Sequence, residues 1–385
     1  MMIYSFSKVS PVPVLFGDGA SEQTGVKLKE LGVTKVVLVT DQGVKSIAEK
    51  IVDNIKKEGI KVVLYDKVLS DPPDYIIEEC AALAKEENVD GVVGVGGGSS
   101  LDAAKLVNAL LGNPSPITRY FDKSIALKPG KVLVLLPTTS GTGSEVTGHG
   151  VVTESKTQFK GGVGGPPCNA TLAIVDPLLT VGMPPAVTAG TGMDALAHAA
   201  EAVTSRFANP VSETVAEKVI ALVKRYLPRA VKNGNDLEAR NKMSLAAMMG
   251  GIAFSDALPH LPHAVSHALI AVAPVPHGVG CALALPEVIE IQAEYMPEQT
   301  KVIGAALGLQ LDGVAGSELG KRVADAIREL NKEVGITKTL KDFGVKQSDL
   351  EEIVPRVLKD DCAFHVPEEI PVNEEMVLKI LNNLY

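Results

Sequence analysis

The stretch Gly91-Val-Val-Gly-Val-Gly-Gly-Gly-Ser-Ser-Leu-Asp102 passes from a short apolar run, through consecutive glycines, into a helical pattern that reaches Leu111. The apolar run is typical of a buried strand. The glycines let the backbone approach a ligand, and the free N–H groups at the helix start favour an anion such as pyrophosphate. A serine stands where the G-x-G-x-x-G fingerprint has its third glycine, so a ligand-free turn remains an alternative.

The same succession of strand and helix patterns recurs along the first half of the chain. Further apolar runs with the length of buried strands are found at residues 13–16, 35–40, 61–65, 132–136 and 173–176. Helical patterns separate the earlier runs, over about 20–31, 44–58 and 74–87. Because strands that alternate with such helices form βαβ units, the sequence predicts an α/β, Rossmann-like parallel sheet.

The pattern changes after residue 183, beyond which no convincing strand is found. The remaining helical patterns cover residues 186–232, 236–255, 262–272, 284–296, 315–335, 337–343, 348–358 and 373–384. A chain of 385 residues also exceeds the usual size of one domain. We therefore predict two domains, an α/β dinucleotide-binding domain over residues 1–182 and an all-α metal-binding domain over residues 183–385.

A second loop rich in hydrogen-bond donors follows the predicted strand 132–136. The stretch Pro137–Thr147 contains several hydroxyl side chains and two glycines. Parallel α/β sheets bind ligands beyond the carboxyl ends of their strands, where both loops are expected. Asp41, which follows the strand 35–40, is placed either to accept from a ribose 2′-hydroxyl, favouring NAD over NADP, or to cap the next helix.

The composition argues against several classes of partner. A net charge of −9 does not favour binding to nucleic acid or to an anionic membrane surface. No apolar run approaches the roughly 20 residues that span a bilayer, and the first residues lack the apolar core of a signal peptide. The four cysteines contain no C-x-x-C pair, which fits a reducing compartment. We therefore expect a cytoplasmic protein.

Acidic and imidazole side chains recur with helical spacing in the second half. Asp194 and His198 are four residues apart, as are His263 and His267, so each pair projects from one face of a helix. His277 follows in a predicted Pro-His-Gly turn. A lone histidine is usually a packed residue. Five of the seven histidines lie between positions 198 and 277, however, and a carboxylate in an apolar helix is costly, so a divalent metal site is favoured.

Four longer motifs stand in a characteristic order. They are Gly96-Gly-Gly-Ser-Ser-Leu-Asp-Ala-Ala-Lys105, Pro137-Thr-Thr-Ser-Gly-Thr-Gly-Ser-Glu-Val-Thr147, Thr191-Gly-Met-Asp-Ala-Leu-Ala-His198 and Pro276-His-Gly278. Together they resemble the iron-containing (group III) alcohol dehydrogenases, and the resemblance extends nearly from end to end. It implies a dehydroquinate synthase-like fold, NAD(P) and metal in the cleft between the two domains, a small alcohol or aldehyde substrate, and a homodimer.

The resemblance assigns roles residue by residue. The family's metal ligands correspond to Asp194, His198, His263 and His277. His267 corresponds to a histidine near the nicotinamide and substrate, although spacing alone does not separate its role from that of His263. The family's cofactor-binding residues correspond to Asp41, Gly96, Gly97, Gly98, Ser99, Asp102, Thr138, Thr139, Ser144 and Lys160.

Departures from the family pattern concern the substrate pocket and one cofactor contact. The stretch 257–260 reads Ala-Leu-Pro-His where the family usually has Ala-Gly-Leu-Gly, and Cys281 replaces an asparagine. Pro72-Pro73 replaces an Asn-Pro pair, which leaves one cofactor contact open. The predicted substrate pocket contains His149, Phe254 and His260. The two histidines, together with a lysine expected on the cofactor side, lead to the hypothesis of an acidic group on the substrate.

These features combine into a metal-assisted hydride transfer between NAD(H) and a small primary alcohol, diol or aldehyde. The metal acts as a Lewis acid, and His267 either relays the hydroxyl proton or lines the pocket. Three imidazoles and one carboxylate suit Fe²⁺ and Zn²⁺ about equally, and the resemblance favours iron. Two alternatives remain, a non-redox lyase of the dehydroquinate synthase type that uses metal and NAD, and a non-catalytic protein that binds metal and nucleotide.

Overall fold

The structure, a computed structural model, describes residues 12–385. The expected absence of a signal peptide concerns the first residues of the chain, which lie outside the described part. Within the described part, the chain divides into two compact units, one ending at Gly182 and the other beginning at Met183.

The first unit contains a parallel sheet of six strands. Its strands, together with those of a separate hairpin, are β1 (Val14–Phe16), β2 (Lys35–Val39), β3 (Lys61–Tyr65), β4 (Gly91–Gly96), β5 (Val132–Pro137), β6 (His149–Thr153), β7 (Lys160–Gly164) and β8 (Leu172–Val175). The sheet has the order β1-β8-β5-β4-β2-β3, and all neighbouring strands in it are parallel. The predicted parallel sheet is therefore confirmed.

Helices connect the strands and create a switch point in the sheet. The α-helices of this unit are α1 (Thr24–Glu30), α2 (Lys45–Lys57), α3 (Asp74–Glu86) and α4 (Gly98–Gly112). The central strands are buried, which agrees with their nearly continuous Val and Leu content. The chain passes from β2 outward to β3 and then returns to place β4 on the other side of β2. Open α/β sheets bind ligands at such a reversal, beyond the carboxyl ends of the strands.

The antiparallel hairpin of β6 and β7 was not predicted from the sequence. It begins where His149 pairs with Gly164. β7 reads Lys-Gly-Gly-Val-Gly, and its glycines remove the apolar alternation that indicates a strand. The fully buried Lys105 on α4 holds the hairpin, because its Nζ donates to the His149 carbonyl at 2.6 Å and to Thr147 Oγ1 at 3.0 Å.

The second unit is helical. Its α-helices are α5 (Pro185–Thr204), α6 (Pro210–Lys232), α7 (Leu237–Ala257), α8 (Leu261–Ile270), α9 (His277–Gln292), α10 (Pro297–Ala306), α11 (Gly316–Glu333), α12 (Leu350–Val357) and α13 (Glu374–Leu384). Residues 183–385, all of which the structure describes, contain no strand. No helix among the described residues of the chain combines the length and the apolar character needed to cross a lipid bilayer.

Two helix predictions fail because local signals were missed. The helix predicted over 186–232 is two helices, since Asn209 caps the second one. Its side chain accepts from the Ser212 backbone N–H, and the Ser212 hydroxyl accepts from the Asn209 N–H in return. The segment predicted over 337–343 is helical only in the 3₁₀ turn Leu340–Phe343, which ends at a glycine in the left-handed conformation.

The structure also corrects the environment of His277. This residue does not lie in a turn, as the Pro-His-Gly motif suggested, but is the first residue of α9, with Pro276 as the N-cap. The helix predicted over 284–296 therefore starts earlier than expected and ends at Gln292. α10 follows as a separate helix that was not predicted. Its first residue is a proline, which is favoured at that position.

Small residues let the helices of the second unit approach one another closely. α5 is rich in alanine and glycine and is buried along most of its length. A Cβ atom at Gly192 would lie only 2.2 Å from Leu227 Cδ1 on α6. Leu196 and Leu227 are fully buried in this core. The core of the unit thus forms around α5, the helix that carries the predicted ligands Asp194 and His198.

We expect Gly94→Ala to lower the free energy of unfolding by about 1–3 kcal/mol through overpacking. A Cβ at Gly94 in β4 would lie 2.7 Å from Ala104 Cβ on α4 and 2.8 Å from Leu135 Cδ2 on β5. The matched control is Gly162→Ala in β7, where a Cβ would meet no atom within 4 Å. Urea denaturation measures both variants, and equal midpoints for the two would contradict the packing argument.

Candidate functional site

The predicted metal ligands lie on three helices of the helical unit, and glycines allow these helices to approach one another closely. α5 carries Asp194 and His198, α8 carries His263 and α9 begins with His277. On α9, a Cβ at position 278 would lie 2.1 Å from the backbone oxygen of residue 190 on α5. At position 280 it would lie 2.6 Å from Ser266 Oγ on α8. Larger residues at these positions would force the three helices apart.

The structure brings three of the four predicted ligands together, Asp194, His263 and His277, and places the fourth, His198, beside His263. Asp194 Oδ1 is 3.5 Å from His263 Nε2 and 3.6 Å from His277 Nε2. His263 Nε2 is in turn 2.9 Å from His198 Nε2. The Asp194 side chain is 2% exposed, and its Oδ1 atom makes no hydrogen bond within the described residues. A buried carboxylate oxygen thus faces imidazole nitrogens at distances longer than a hydrogen bond.

The electrostatics of this cluster favour a charged carboxylate. Burial by itself would raise the pKa of Asp194, because the charged form loses its hydration. The imidazoles of His198, His263 and His277 outweigh this effect and hold the Asp194 pKa well below its usual value. The carboxylate therefore stays ionised, which is the form that binds a cation.

Neighbouring side chains orient two of the imidazoles. The fully buried Glu201 carboxylate lies 2.7 Å from His263 Nδ1, so that nitrogen carries the proton and donates it. Ser266 Oγ donates to the backbone carbonyl of His277 and lies 3.2 Å from its Nδ1, from which it can accept. In both rings Nε2 is then the nitrogen with a lone pair, and Nε2 is the atom that faces Asp194.

The donor set fits a divalent transition metal. In a tetrahedral site Zn²⁺ is held by nitrogen and oxygen ligands at about 2.0–2.2 Å, so adjacent donors are separated by about 3.3–3.6 Å. The separations of 3.5 and 3.6 Å between Asp194 Oδ1 and the two imidazole nitrogens lie in that range, whereas the 2.9 Å between His198 Nε2 and His263 Nε2 is shorter. A carboxylate with imidazoles is also a donor set that Fe²⁺ accepts.

In the structure, His267 and His263 have different neighbours. Their spacing of four residues in the sequence could not separate their roles. His267 Nδ1 is 2.7 Å from Asp360 Oδ2, whereas the His263 ring faces Asp194 and Glu201. The His267 ring stacks on that of His277, with centroids 5.3 Å apart. Although burial would raise it, the hydrogen bond from His267 lowers the pKa of Asp360 to about 2. His267 therefore borders two of the predicted ligands, His263 and His277, and is oriented by Asp360.

The three predicted substrate-pocket residues do not share one environment. The Phe254 ring stacks on the His198 ring, with centroids 4.2 Å apart, so it borders the cluster. His260 is fully buried, its Nε2 lies 2.8 Å from Thr204 Oγ1, and burial lowers its pKa to about 4. His149 belongs to the α/β unit, where its side chain is exposed on β6. For His260 this burial favours a packed, neutral side chain over contact with a substrate.

The predicted cofactor loops are neighbours at the switch point of the sheet. Asp41 follows β2 and accepts at Oδ2 from Ser100 Oγ, at 2.8 Å, near the start of α4. It also accepts at Oδ1 from the Gly43 N–H, so it caps the next turn as the alternative interpretation proposed. Thr138 N–H donates to the Gly96 carbonyl at 2.9 Å, which joins the loop after β5 to the glycines after β4.

The glycines of the first loop leave little room for side chains. Gly96 has φ +151°, and a Cβ there would lie 2.5 Å from Ser100 Cβ and 3.1 Å from Asp41 Oδ2. A Cβ at Gly97 would lie 3.3 Å from Thr139 Cγ2, and one at Gly98 would lie 2.7 Å from a threonine methyl of the second loop. The loop thus presents bare backbone at the N-terminus of α4, where N–H groups are free to bind an anion.

Two other predicted cofactor residues have internal partners. Asp102 accepts at Oδ1 from Ser144 Oγ at 2.6 Å and at Oδ2 from the Val151 N–H at 3.0 Å. Lys105 Nζ donates to Ser144 Oγ at 2.7 Å and lies 3.3 Å from Asp102 Oδ1. The lysine is fully buried and is compensated by these contacts. In the structure, Asp102 and Ser144 therefore tie α4 to the segment that leads into the hairpin.

Lys160 pairs with a residue that the sequence interpretation did not assign. Its Nζ forms an ion pair with Asp71 Oδ1, and the Asp71 N–H is 3.3 Å from Ser99 Oγ in the first loop. Asp71 adopts φ +49°, a strained conformation for a residue with a side chain. The cofactor contact that the replacement by Pro72-Pro73 left open is therefore beside Asp71. The Asp71 carboxylate lies among predicted cofactor residues.

Glu201 and Asp360 are the other side chains that sequence reasoning missed. Glu201 follows Asp194 by seven residues and His198 by three, which places all three on one face of α5. This spacing could have identified it. Asp360 comes close to His267 only through tertiary packing of a segment 93 residues later, so local spacing carries no signal for it.

Two family descriptions match most of the chain. Residues 11–177 match "Iron-containing alcohol dehydrogenase", and residues 188–385 match "Fe-containing alcohol dehydrogenase family, C-terminal". Together with the six-stranded parallel sheet and the helical unit, these matches define an alcohol oxidoreductase of the dehydroquinate synthase-like fold. The chain belongs to the iron-containing alcohol dehydrogenase family, as the resemblance predicted.

Individual relatives match over nearly their full length. The chain is 37% identical to a choline dehydrogenase of Bacillus subtilis (strain 168), over 94% of this chain and 90% of that one. It is 34% identical to an NAD-dependent methanol dehydrogenase of Bacillus methanolicus, over 97% and 98%. A crystal structure of 1,3-propanediol oxidoreductase superposes with a TM-score of 0.94 at 33% identity, covering 100% of both chains. These dehydrogenases do not support the lyase or the non-catalytic alternative.

We expect Glu201→Gln to weaken the binding of Zn²⁺ by about ten- to a hundredfold, because partners that orient metal-bound histidines contribute to affinity on this scale. Glutamine retains the shape of Glu201 but removes the charge beside His263 Nδ1. Zn²⁺ affinity is measured by competition with a chromophoric chelator. The matched control is Glu217→Gln, an exposed position on α6. Equal affinities for both variants would exclude this role for Glu201.

Proposed function

We propose that the protein oxidises small primary alcohols or diols and reduces the corresponding aldehydes, using NAD(H) and a divalent metal. The observation that carries this proposal is the buried Asp194 carboxylate, whose Oδ1 atom makes no hydrogen bond within the described residues and faces two Nε2 atoms. Such an arrangement is costly unless a cation compensates it. The family to which the chain belongs is named for iron, which makes Fe²⁺ the first candidate and Zn²⁺ the second.

The metal would be held by side chains of the helical unit. The proposed ligands are Asp194, His198, His263 and His277. Glu201 would keep the Nε2 atom of His263 directed at the metal by accepting a hydrogen bond from Nδ1–H. A bound Fe²⁺ or Zn²⁺ would supply Lewis acidity at the alcohol oxygen, and NAD would supply the hydride acceptor. Phe254, stacked on His198, would exclude water from one side of the ligands.

His267 is proposed as the residue that exchanges the hydroxyl proton. Asp360 accepts a hydrogen bond from His267 Nδ1 at 2.7 Å, which leaves Nε2 as the basic atom. The side chains of both residues are about one-fifth exposed, at 22% and 21%, so a proton can pass to solvent. A neutral imidazole that is oriented by a carboxylate can accept a proton near neutral pH.

The α/β unit is proposed to bind NAD through the loops at the switch point. Gly96, Gly97, Gly98, Ser99, Thr138 and Thr139 would contact the pyrophosphate or the adjoining sugars. Asp41 would accept from the adenosine ribose, and its charge would repel a 2′-phosphate, so NADP is the weaker candidate. Lys160 and Asp71 lie beside Ser99 and would contribute to the same site, and Asp102 and Ser144 would support it.

The substrate class follows from size and charge. The relatives act, by their names, on choline, methanol and 1,3-propanediol, all of them small primary alcohols. His260 was one of two histidines that suggested an acidic substrate group, and its complete burial removes much of that argument. We therefore propose short primary alcohols and diols without an acidic group, with acid-bearing aldehydes as a second class to be compared directly.

Further proposals concern the domains, the compartment and the assembly. We propose that residues 1–182 act as the NAD-binding domain and residues 183–385 as the metal-binding domain. All four cysteines are free, which supports a reducing, cytoplasmic compartment. A homodimer is proposed on the resemblance to the family alone.

Turnover is expected to depend on metal and on His277. Protein stripped with a chelator should oxidise NADH with short aldehydes only after anaerobic addition of Fe²⁺ or Zn²⁺. His277→Ala should lose metal and activity together, by roughly a hundredfold or more, because an Nε2 donor beside Asp194 disappears. The control is His365→Ala, whose ring contacts Pro259 and Phe207 away from the cluster. Full activity of the stripped protein, or of His277→Ala, would rule out the proposed mechanism.

We expect Asp41→Ser to raise the ratio of kcat/KM for NADPH to that for NADH by about tenfold, or ~1.4 kcal/mol. The physical reason is the loss of a carboxylate that would repel the 2′-phosphate. Steady-state kinetics with one aldehyde and both cofactors measure the ratio. Asp53→Ala, an exposed position on α2, is the control for loss of one negative charge. An unchanged ratio in Asp41→Ser would place the adenosine ribose elsewhere.

A further inference from the structure

A fifth potential metal donor lies in the cluster, and it is a sulfur atom. Cys281 stands four residues after His277 on α9, so both side chains project from the same face of that helix. Its thiol is fully buried, and Sγ is 3.8 Å from His277 Nε2. One donor atom from each of Asp194, His263, His277 and Cys281 lies within 4.8 Å of all the others.

A second observation at the same place points to a cation. Asp194 is 2% exposed, and its Oδ1 atom, which makes no hydrogen bond among the described residues, faces the group that contains Cys281. A buried cysteine alone is commonly a small packed apolar residue. Here, however, its sulfur lies among an ionised carboxylate and imidazole nitrogens rather than among apolar side chains only.

We propose that Cys281 is a metal ligand, which binds through Sγ the same ion as Asp194, His263 and His277. In a tetrahedral site with a metal–sulfur distance of about 2.3 Å and a metal–nitrogen distance of about 2.1 Å, sulfur and nitrogen are about 3.6 Å apart. The observed 3.8 Å is close to this value. His198, whose Nε2 is 2.9 Å from His263 Nε2, either completes a five-coordinate site or supports His263.

Binding of this kind has a simple chemical balance. The metal–sulfur bond forms as the thiol releases its proton to solvent, and no group is oxidised or reduced. The divalent charge is then matched by one carboxylate and one thiolate. Thiolate is a soft ligand that favours Zn²⁺ over Fe²⁺, so Cys281 would shift the preference of this protein towards zinc.

The test uses Co²⁺ as a spectroscopic substitute for the native metal. The full-length protein is stripped with a chelator and loaded anaerobically with Co²⁺, and cobalt per chain is measured. Wild type should show the near-ultraviolet charge-transfer absorption of a cobalt–thiolate bond. Cys281→Ser and Cys281→Asn should lose this absorption while still binding cobalt. The control Cys362→Ser, which removes the thiol near His267 and Asp360, should keep it.

Several results would overturn the inference. They are a cobalt-loaded wild type without the charge-transfer absorption, a Cys281→Ser protein that retains it, or absorption that disappears with Cys362 instead. If both Cys281 variants fail to fold, X-ray absorption of the zinc-loaded wild type decides the question. One sulfur neighbour at about 2.3 Å is expected, and a shell of nitrogen and oxygen alone would contradict the assignment.

This inference rests on the metal site of the proposed function, but the two can fail separately. The spectra are recorded without alcohol or NAD, so they do not depend on catalysis. Cobalt bound without a thiolate band would leave the dehydrogenase proposal intact and remove only Cys281. Failure to bind cobalt at all would contradict the metal site and therefore both proposals.

Discussion

The buried charge of Asp194 is the interaction on which the helical unit depends. A carboxylate without water needs compensation, and here imidazole nitrogens from α8 and α9 face it at 3.5 and 3.6 Å. These distances require the helices to approach closely, which the glycine at position 278 permits because a Cβ there would lie 2.1 Å from the backbone oxygen of residue 190. The small residues around Asp194 are therefore part of the site as much as its ligands are.

The α/β unit solves a different problem, which is how to present bare backbone to an anion. Gly96 ends β4, and the N-terminus of α4 follows directly, so its free N–H groups lie at the reversal of the sheet. The close packing of this loop also gives the neighbouring side chains hydrogen-bond partners within the protein. Asp41 caps one turn, accepts from Ser100 and still belongs to the switch point, so its two sequence interpretations are compatible.

Periodic signals explain which features the sequence predicts and which it does not. The buried strands and the glycine loop have local sequence patterns, and these patterns were sufficient to predict the parallel sheet. The hairpin of β6 and β7 carries none, because β7 is mostly glycine, and it depends on Lys105 of α4 for its position. The spacing of His263 and His267 fixed their helix face but not their partners. Glu201 and Asp360, which distinguish the two imidazoles, lie 62 and 93 residues away from them.

The error at His277 has the largest chemical consequence. A histidine in a Pro-His-Gly turn would be aimed by the turn alone, and the residues after it would carry no information about the site. As the first residue of α9, His277 instead shares a helix face with position 281, one turn later. The departure at Cys281 then ceases to be a remote change in the pocket and becomes a sulfur atom 3.8 Å from His277 Nε2. A shift of a few residues in the start of α9 thus decides whether Cys281 is interpreted as a packed side chain or as a candidate metal donor.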